Sequence, residues 1–124
     1  MSAHLLAERF AITHRLLLDA AATGSEADLT WSPGPTAPPI AFHLWHCARW
    51  ADRWAEALGA GDQVWTRGGL ASAWAFPAAL GGGDTGMQMA DDEAVALPFP
   101  PRQALTGYMR QAFAALEGAL AGLD

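Results

Sequence analysis

The sequence is poor in cysteine and in charge, and each shortage excludes a class of protein. Cys47 is the single cysteine among 124 residues, so no disulfide can form within the chain, and a reducing, cytoplasmic setting is expected. Only 16% of the residues are charged, and the seven basic ones form no cluster. Because binding to a phosphate backbone requires such a cluster, we do not expect nucleic acid as a partner.

Long uncharged runs are absent as well. Glu8, Arg9, Arg15 and Asp19 interrupt the apolar residues of the first segment, so this segment lacks the apolar stretch of a secretion signal. No uncharged apolar stretch of about 18 residues occurs elsewhere, and such a stretch is what a membrane span requires. Neither export nor membrane insertion is expected.

What the chain does contain favours a compact helical protein. Hydrophobic residues make up 52% of it, alanine is abundant, and β-branched residues are few. The length suits one core, so we expect a single domain over residues 1–124.

Apolar periodicity predicts three long helices, over about residues 3–23, 39–58 and 101–123. Glycine and proline punctuate their ends. In the first helix the apolar stripe comprises Leu6, Phe10, Thr13, Leu17 and Ala20. In the second, a turn of 100° per residue predicts that Arg49, Asp52 and Glu56 lie opposite a buried face of Ile40, Leu44, Cys47, Ala51, Trp54 and Leu58. In the third, the predicted core positions are Leu105, Tyr108, Met109, Ala112, Phe113, Leu116, Leu120 and Leu123.

Between the second and third helices lies a glycine- and tryptophan-rich segment, residues 59–99. We expect a long loop with a helical turn near 70–74, folded over the bundle so that its tryptophans are buried. Trp45 projects among the charged residues of the second helix, so a loop or a partner subunit should cover it. Within this segment, "GGGDTG" formally matches a nucleotide-binding motif, but no strand precedes it, and a flexible loop is the interpretation.

Three amphipathic helices form an incomplete up-down bundle, because each apolar face is wider than one contact needs. The cover could be the tryptophan-rich loop, a fourth helix missing from this sequence, or a second copy of the chain. We therefore expect a homodimer.

The stretch "PIAFHLWHCARW", residues 39–50, holds the candidate chemistry. His43 and His46 are three apart on one helix, which allows two imidazoles to converge on an ion, and Cys47 could add a thiolate. His14, in the first helix, could be a further ligand. Alternatively, these histidines are neutral rings hydrogen-bonded within the bundle. A pocket for a small molecule or thiol near the tryptophans is a further possibility.

The segment "PIAFHLWHCARWADRW", followed by "VW" and by the helix "ALTGYMRQAFAALEGAL", resembles the DinB-like superfamily, and in particular a bacterial branch with a "(S/P)IA-x-x-x-WH-x-AR-x-x-D" helix. The resemblance implies a four-helix bundle with a divalent metal, Zn or Ni, held by three histidines. It also implies metal-dependent transfer or isomerisation involving a low-molecular-weight thiol.

By position, the resemblance assigns a metal-ligand role to His46, whereas His43 falls where the pattern is apolar and is predicted to be part of the helix wall. The family's other two ligands come from an H-x-x-x-H helix, and no histidine follows His46. The prediction is therefore a DinB-like fold whose metal site is incomplete here. The alternative is a non-catalytic binding or dimerisation module that has lost the site.

Overall fold

The computed structural model describes residues 2–123, and its regular structure is helical. Three long helices are joined by four short ones, and this part of the chain contains no β-strand. The helices are α1 (Ala3–Ala22), α2 (Glu26–Thr30), α3 (Ile40–Ala57), α4 (Val64–Arg67), α5 (Leu70–Ala73), α6 (Asp91–Val95) and α7 (Arg102–Ala121). The three predicted long helices are confirmed to within about two residues at each end.

Local chemistry sets the helix ends. Ser2 begins α1 because its hydroxyl accepts a hydrogen bond from the backbone N–H of Leu5 at 3.1 Å. Pro39 and Pro101 precede α3 and α7, where the missing N–H of proline costs no hydrogen bond. Ser25 and Asp28 form a reciprocal capping box that starts α2.

Helix α7 is the central element of the bundle. Both α1 and α3 pack along it, and they make few contacts with each other. The predicted core positions of α7 are buried, except that Leu123 lies just beyond the helix and is exposed. Because α1 and α3 make few contacts with each other, an open space lined by all three long helices remains between them.

The predicted buried face of α3 is partly wrong. Leu44 and Ala51 are buried, but Cys47 is exposed and Trp54 is 56% exposed. Arg49, together with Asp52, was placed on the outer face and is instead buried, at 2% exposure. The reason is that residues 59–99 fold over this side of α3 and supply hydrogen-bond partners, which helical periodicity alone does not reveal.

The buried face of α1 is also displaced from the prediction. Leu6 and Phe10 are more than one-third exposed, whereas Ala7, His14 and Ala21 are buried. These three positions recur every seven residues and face α7. Small residues at two of them allow α1 to approach α7 closely.

The segment 59–99 covers the bundle as predicted, and it contains α4, α5 and α6 in place of a continuous loop. Trp65 and Trp74 are buried in the core. Trp45 is fully buried because Trp65, Phe76 and Phe99 surround its ring, with centroid separations of 5.5–6.2 Å. The loop, rather than a partner subunit, thus covers Trp45.

Among residues 2–123, no helix combines the length and apolar character needed to cross a bilayer.

Candidate functional site

A largely apolar cleft of about 370 Å³ lies between α1 and α3, with α7 as its floor. We call it the α1–α3 cleft. Its walls are mainly aromatic and aliphatic, and its polar side chains are few. The lining residues are Phe10, Thr13, His14, Leu17, His46, Cys47, Trp50, Ala51, Trp54, Phe113 and Leu116.

His46 lies on the α3 wall of the cleft and is half-buried. Its ring stacks on Phe42, with centroids 5.7 Å apart and planes within 8°. Its Nδ1 is hydrogen-bonded to the carbonyl oxygen of Thr85. Because a carbonyl only accepts, Nδ1 carries the proton and donates it. In the neutral ring, Nε2 is then a free acceptor.

The Thr85 carbonyl is held in place by a hairpin, residues 82–87. The backbone N–H of Gly82 donates to the carbonyl of Met87 at 2.8 Å, and the hydroxyl of Thr85 donates to the carbonyl of Gly82 at 2.6 Å. Gly86 has a φ of +87°, and a Cβ there would lie 2.8 Å from the Trp45 ring. The predicted flexible loop is therefore wrong, because this segment is hydrogen-bonded and packed onto α3.

Arg49 holds the same hairpin from one helical turn further along α3. Its Nε donates to the carbonyl oxygen of Asp84 at 2.8 Å. Arg49 thus binds the carbonyl of Asp84, and His46 binds the next carbonyl along the chain, that of Thr85. The guanidinium also lies 5.1 Å from the centroid of the Trp65 ring. By holding Asp84, Arg49 restrains the hairpin whose Thr85 carbonyl orients His46.

Asp52 completes the buried network behind Arg49. One carboxylate oxygen accepts from the backbone N–H of Val64 and the other from that of Trp65, each at 2.9 Å. The second oxygen also accepts from the Tyr108 hydroxyl at 2.8 Å and faces Arg49 at 3.3 Å. Arg49 and Asp52 therefore pair in the core, although helical periodicity placed both on the outer face. The network joins α3, α4, the hairpin and α7.

His14 lies on the opposite wall of the cleft and is 5% exposed. Its Nδ1 lies 2.7 Å from a carboxylate oxygen of Glu117 on α7. Its ring stacks on Phe113, with centroids 4.0 Å apart and planes within 6°. An ionised carboxylate also only accepts, so Nδ1 again donates. The two imidazoles of the cleft share one arrangement, with Nδ1 engaged and Nε2 free.

His43 and Cys47 have different surroundings. His43 lies on α3, is exposed and does not line the cleft. Cys47 is exposed over the whole residue, yet burial raises the pKa of its thiol. The two observations are compatible because Cys47 lines the cleft, where neighbouring atoms crowd the sulfur. A raised pKa disfavours the thiolate, the form that attacks electrophiles and binds metals.

The side chains of residues 2–123 do not by themselves form a metal centre. No group of three or more histidine, cysteine or acidic side chains comes close enough together in this part of the chain to hold an ion. Structural zinc sites use four protein ligands and catalytic ones use three. His46 and His14 line one cleft, but they fall short of such a donor set.

Two residues of the site escaped the sequence analysis. Thr85 acts through its backbone carbonyl, which no side-chain pattern can reveal. Glu117 is the only acidic residue of α7, and it lies next to the core position Leu116. A lone carboxylate on an apolar helix is a signal that could have suggested a buried cationic or imidazole partner.

The fold and site together define a class, an all-helical bundle with a histidine-bearing cleft. A comparison with protein families places residues 9–124 in the DinB superfamily, and the chain belongs to that family. A search of curated proteins finds no match.

Proposed function

We propose that the chain is a DinB-fold binding module that holds a small ligand in the α1–α3 cleft. One observation carries the proposal: an apolar cleft of about 370 Å³ contains two imidazoles whose Nδ1 atoms are anchored by fixed acceptors. Ligand sites are commonly 300–1,000 Å³ in volume, with apolar walls and a few placed polar groups. The cleft meets both criteria.

Occupancy of the cleft can be measured with the neutral, fluorescent probe N-phenyl-1-naphthylamine. Its emission should rise when it binds apolar walls. Phe10→Glu should abolish the rise because a carboxylate would line the cleft. The matched control is Leu6→Glu, an apolar residue of α1 with nearly the same exposure as Phe10 that does not line the cleft. Equal loss of binding in both variants, or no binding by the natural chain, would refute the proposal.

A second candidate function is the metal-dependent thiol transferase or isomerase chemistry to which the family resemblance points. The supporting observation is His46, because metal-ligating histidines usually donate the other ring nitrogen to a carbonyl or carboxylate. This candidate needs further metal ligands besides His46, and another chain or groups other than residues 2–123 would have to supply them. A resident Zn or Ni would act as a Lewis acid that activates a bound thiol.

The second candidate predicts thiol transfer to an electrophilic acceptor in the presence of Zn²⁺ or Ni²⁺. That activity should disappear with a chelator and in His46→Ala, and persist in His43→Ala, whose histidine lies off the cleft. Activity that survives loss of His46 would exclude this candidate.

The proposal includes a cytoplasmic homodimer. Leu5, Ile12 and Leu16 are 40%, 54% and 65% exposed, and their spacing of seven and four places them along one outer face of α1. A second copy could cover this face. Sedimentation velocity should show a dimer that the double substitution Ile12→Glu, Leu16→Glu converts to a monomer. A compact monomer of the natural chain at micromolar concentration would exclude this assembly.

A further inference from the structure

We infer that the ligand of the α1–α3 cleft is a neutral molecule with an apolar, aromatic-sized body and a hydroxyl or N–H hydrogen-bond donor. The inference rests on the proposed binding function and names the chemistry that the cleft selects. It follows from the hydrogen-bond donors and acceptors on the cleft walls that have no partner, and from the charged side chains near them.

The two histidines each bring a free hydrogen-bond acceptor to the cleft. His14 and His46 each use Nδ1–H on an internal acceptor, the carboxylate of Glu117 and the carbonyl of Thr85. The hydrogen bonds that these two rings make within residues 2–123 all involve Nδ1, which leaves each Nε2 open. The other polar lining groups are the hydroxyl of Thr13, the thiol of Cys47, a weak donor, and the indole N–H groups of Trp50 and Trp54. A ligand that donates a hydrogen bond can therefore bind to Nε2 of His14 or His46, whereas a ligand with acceptors alone cannot.

The charged groups nearest the cleft walls disfavour both a cation and an anion. Arg53 lies outside the cleft but 5.5 Å from the centroid of the Trp50 ring, so its positive charge would repel a ligand cation at that wall. The Glu117 carboxylate beside His14 would repel a ligand anion at the opposite wall. A neutral donor meets neither repulsion.

The two anchors make the preference directional. If the imidazoles could flip or exchange tautomers, each Nε2 could donate a hydrogen bond as well as accept one. The cleft would then not distinguish ligands that donate from ligands that only accept. Glu117 and Thr85 prevent this exchange because each presents only acceptor oxygen to Nδ1. The stacking of His14 on Phe113 and of His46 on Phe42 restrains the ring planes.

The test compares 4-ethylphenol with 4-ethylanisole, which keeps the apolar body and an oxygen but loses the donor. Calorimetry at pH 8 should show the phenol binding roughly tenfold more tightly, the scale of one or two hydrogen bonds. 4-Ethylbenzoate, an anion of similar shape, should bind more weakly than either. In ¹⁵N spectra, the phenol should shift the Nε2 resonance of His14 or His46, and the anisole should not.

The variants His14→Phe and His46→Phe keep an aromatic ring and remove the acceptor. One of them, or the two combined, should reduce the phenol affinity to that of the anisole and affect the anisole much less, because the anisole donates no hydrogen bond to Nε2. His43→Phe is the matched control on the exposed side of α3 and should bind both ligands as the natural chain does. Retained anisole binding also shows that a variant is folded.

The outcomes separate this inference from the proposed function. Equal affinity for phenol and anisole, or tighter binding of the benzoate, would overturn the inferred ligand chemistry and leave the binding module intact. No binding of any of the three, with N-phenyl-1-naphthylamine still bound, would also overturn the inferred ligand class alone. Failure to bind the probe as well would overturn both.

Discussion

The hydroxyl of Tyr108 donates a hydrogen bond to the carboxylate of Asp52 at 2.8 Å, and this contact joins the middle of α7 to the middle of α3. The same carboxylate caps the first residues of α4 and faces Arg49. Arg49 in turn holds the hairpin whose Thr85 carbonyl orients His46. The cleft histidine thus depends on a buried polar network that lies on the far side of α3 from the cleft.

Replacing Asp52 should severely destabilise the fold. Asp52→Ala leaves Arg49 buried without its counter-charge and frees two backbone N–H groups of α4, so we expect a loss of about 3–5 kcal/mol in the free energy of unfolding. Asp62→Ala, at an exposed site, is the matched control and should change it by less than about 0.5 kcal/mol. Urea unfolding monitored by circular dichroism measures both. Similar stabilities for the two variants would contradict the buried network.

Tyr108 should affect the alkaline stability of the protein. Burial is the main cause that raises the pKa of its hydroxyl well above the ordinary value of 10. At a pH between the pKa of Tyr108 in the unfolded chain and its higher pKa in the folded protein, only the unfolded chain loses the proton. The contribution of the Tyr108 hydroxyl to the free energy of unfolding is therefore complete below about pH 10 and falls as the pH rises further.

The matched variant is Tyr108→Phe, which cannot ionise at this position. It should be less stable at pH 7 by about 1.5–3 kcal/mol, because it loses a hydrogen bond to a charged group. The difference between the two proteins should shrink above pH 10. A difference that stays constant or grows would contradict the buried, protonated hydroxyl.

A methyl group at Gly86 should disrupt the hairpin that anchors His46. The added Cβ would lie 2.8 Å from the Trp45 ring, and the positive φ disfavours any L side chain. We expect Gly86→Ala to lose at least about 1 kcal/mol of stability. Gly107→Ala on α7 meets open space and should gain about 0.5–1 kcal/mol. Thermal melts of the two variants should move in opposite directions.

The anchor on His46 can be observed directly by nitrogen NMR. In the neutral ring, Nδ1 should be protonated and Nε2 bare, which is the opposite of the tautomer usually favoured by free histidine. Arg49→Lys should weaken this preference, since a lysine cannot reproduce the same directed contact with the Asp84 carbonyl. A predominant Nε2–H tautomer in the natural chain would contradict the hydrogen bond to Thr85.

Cys47 should react slowly for a surface-accessible thiol. Because burial raises its pKa, the thiolate fraction at pH 8 is below that of an unperturbed cysteine. Alkylation by iodoacetamide should therefore have a pH midpoint above the value of about 8.5 for a free thiol. Bound 4-ethylphenol should slow it further by filling the cleft. A midpoint at or below that of a free cysteine peptide would contradict the crowded surroundings of the sulfur.

Helix positions could be predicted well from the sequence because local signals define them. Proline before α3 and α7, glycine after α1, and the apolar period of α7 all act within a few residues. The orientation of α3 was less predictable. Arg49 and Asp52 look like surface residues by periodicity, and only the distant segment 59–99 makes their burial favourable.

The candidate site could be predicted only in part for a similar reason. His46 was identified from its motif, whereas its anchor is a backbone carbonyl 39 residues away. His14 was considered as a ligand, but its partner Glu117 is 103 residues distant in sequence. Contacts of this range depend on how α1 and α3 pack on α7, which local patterns do not encode.

The most direct test of the account is the metal content of the purified protein, measured by elemental analysis after exposure to Zn²⁺ and Ni²⁺ and removal of the unbound ion by gel filtration. The binding-module account predicts far less than one ion per chain, unchanged in His46→Ala. About one tightly held ion per chain, lost in His46→Ala but retained in His43→Ala, would contradict it and establish the metal-dependent alternative.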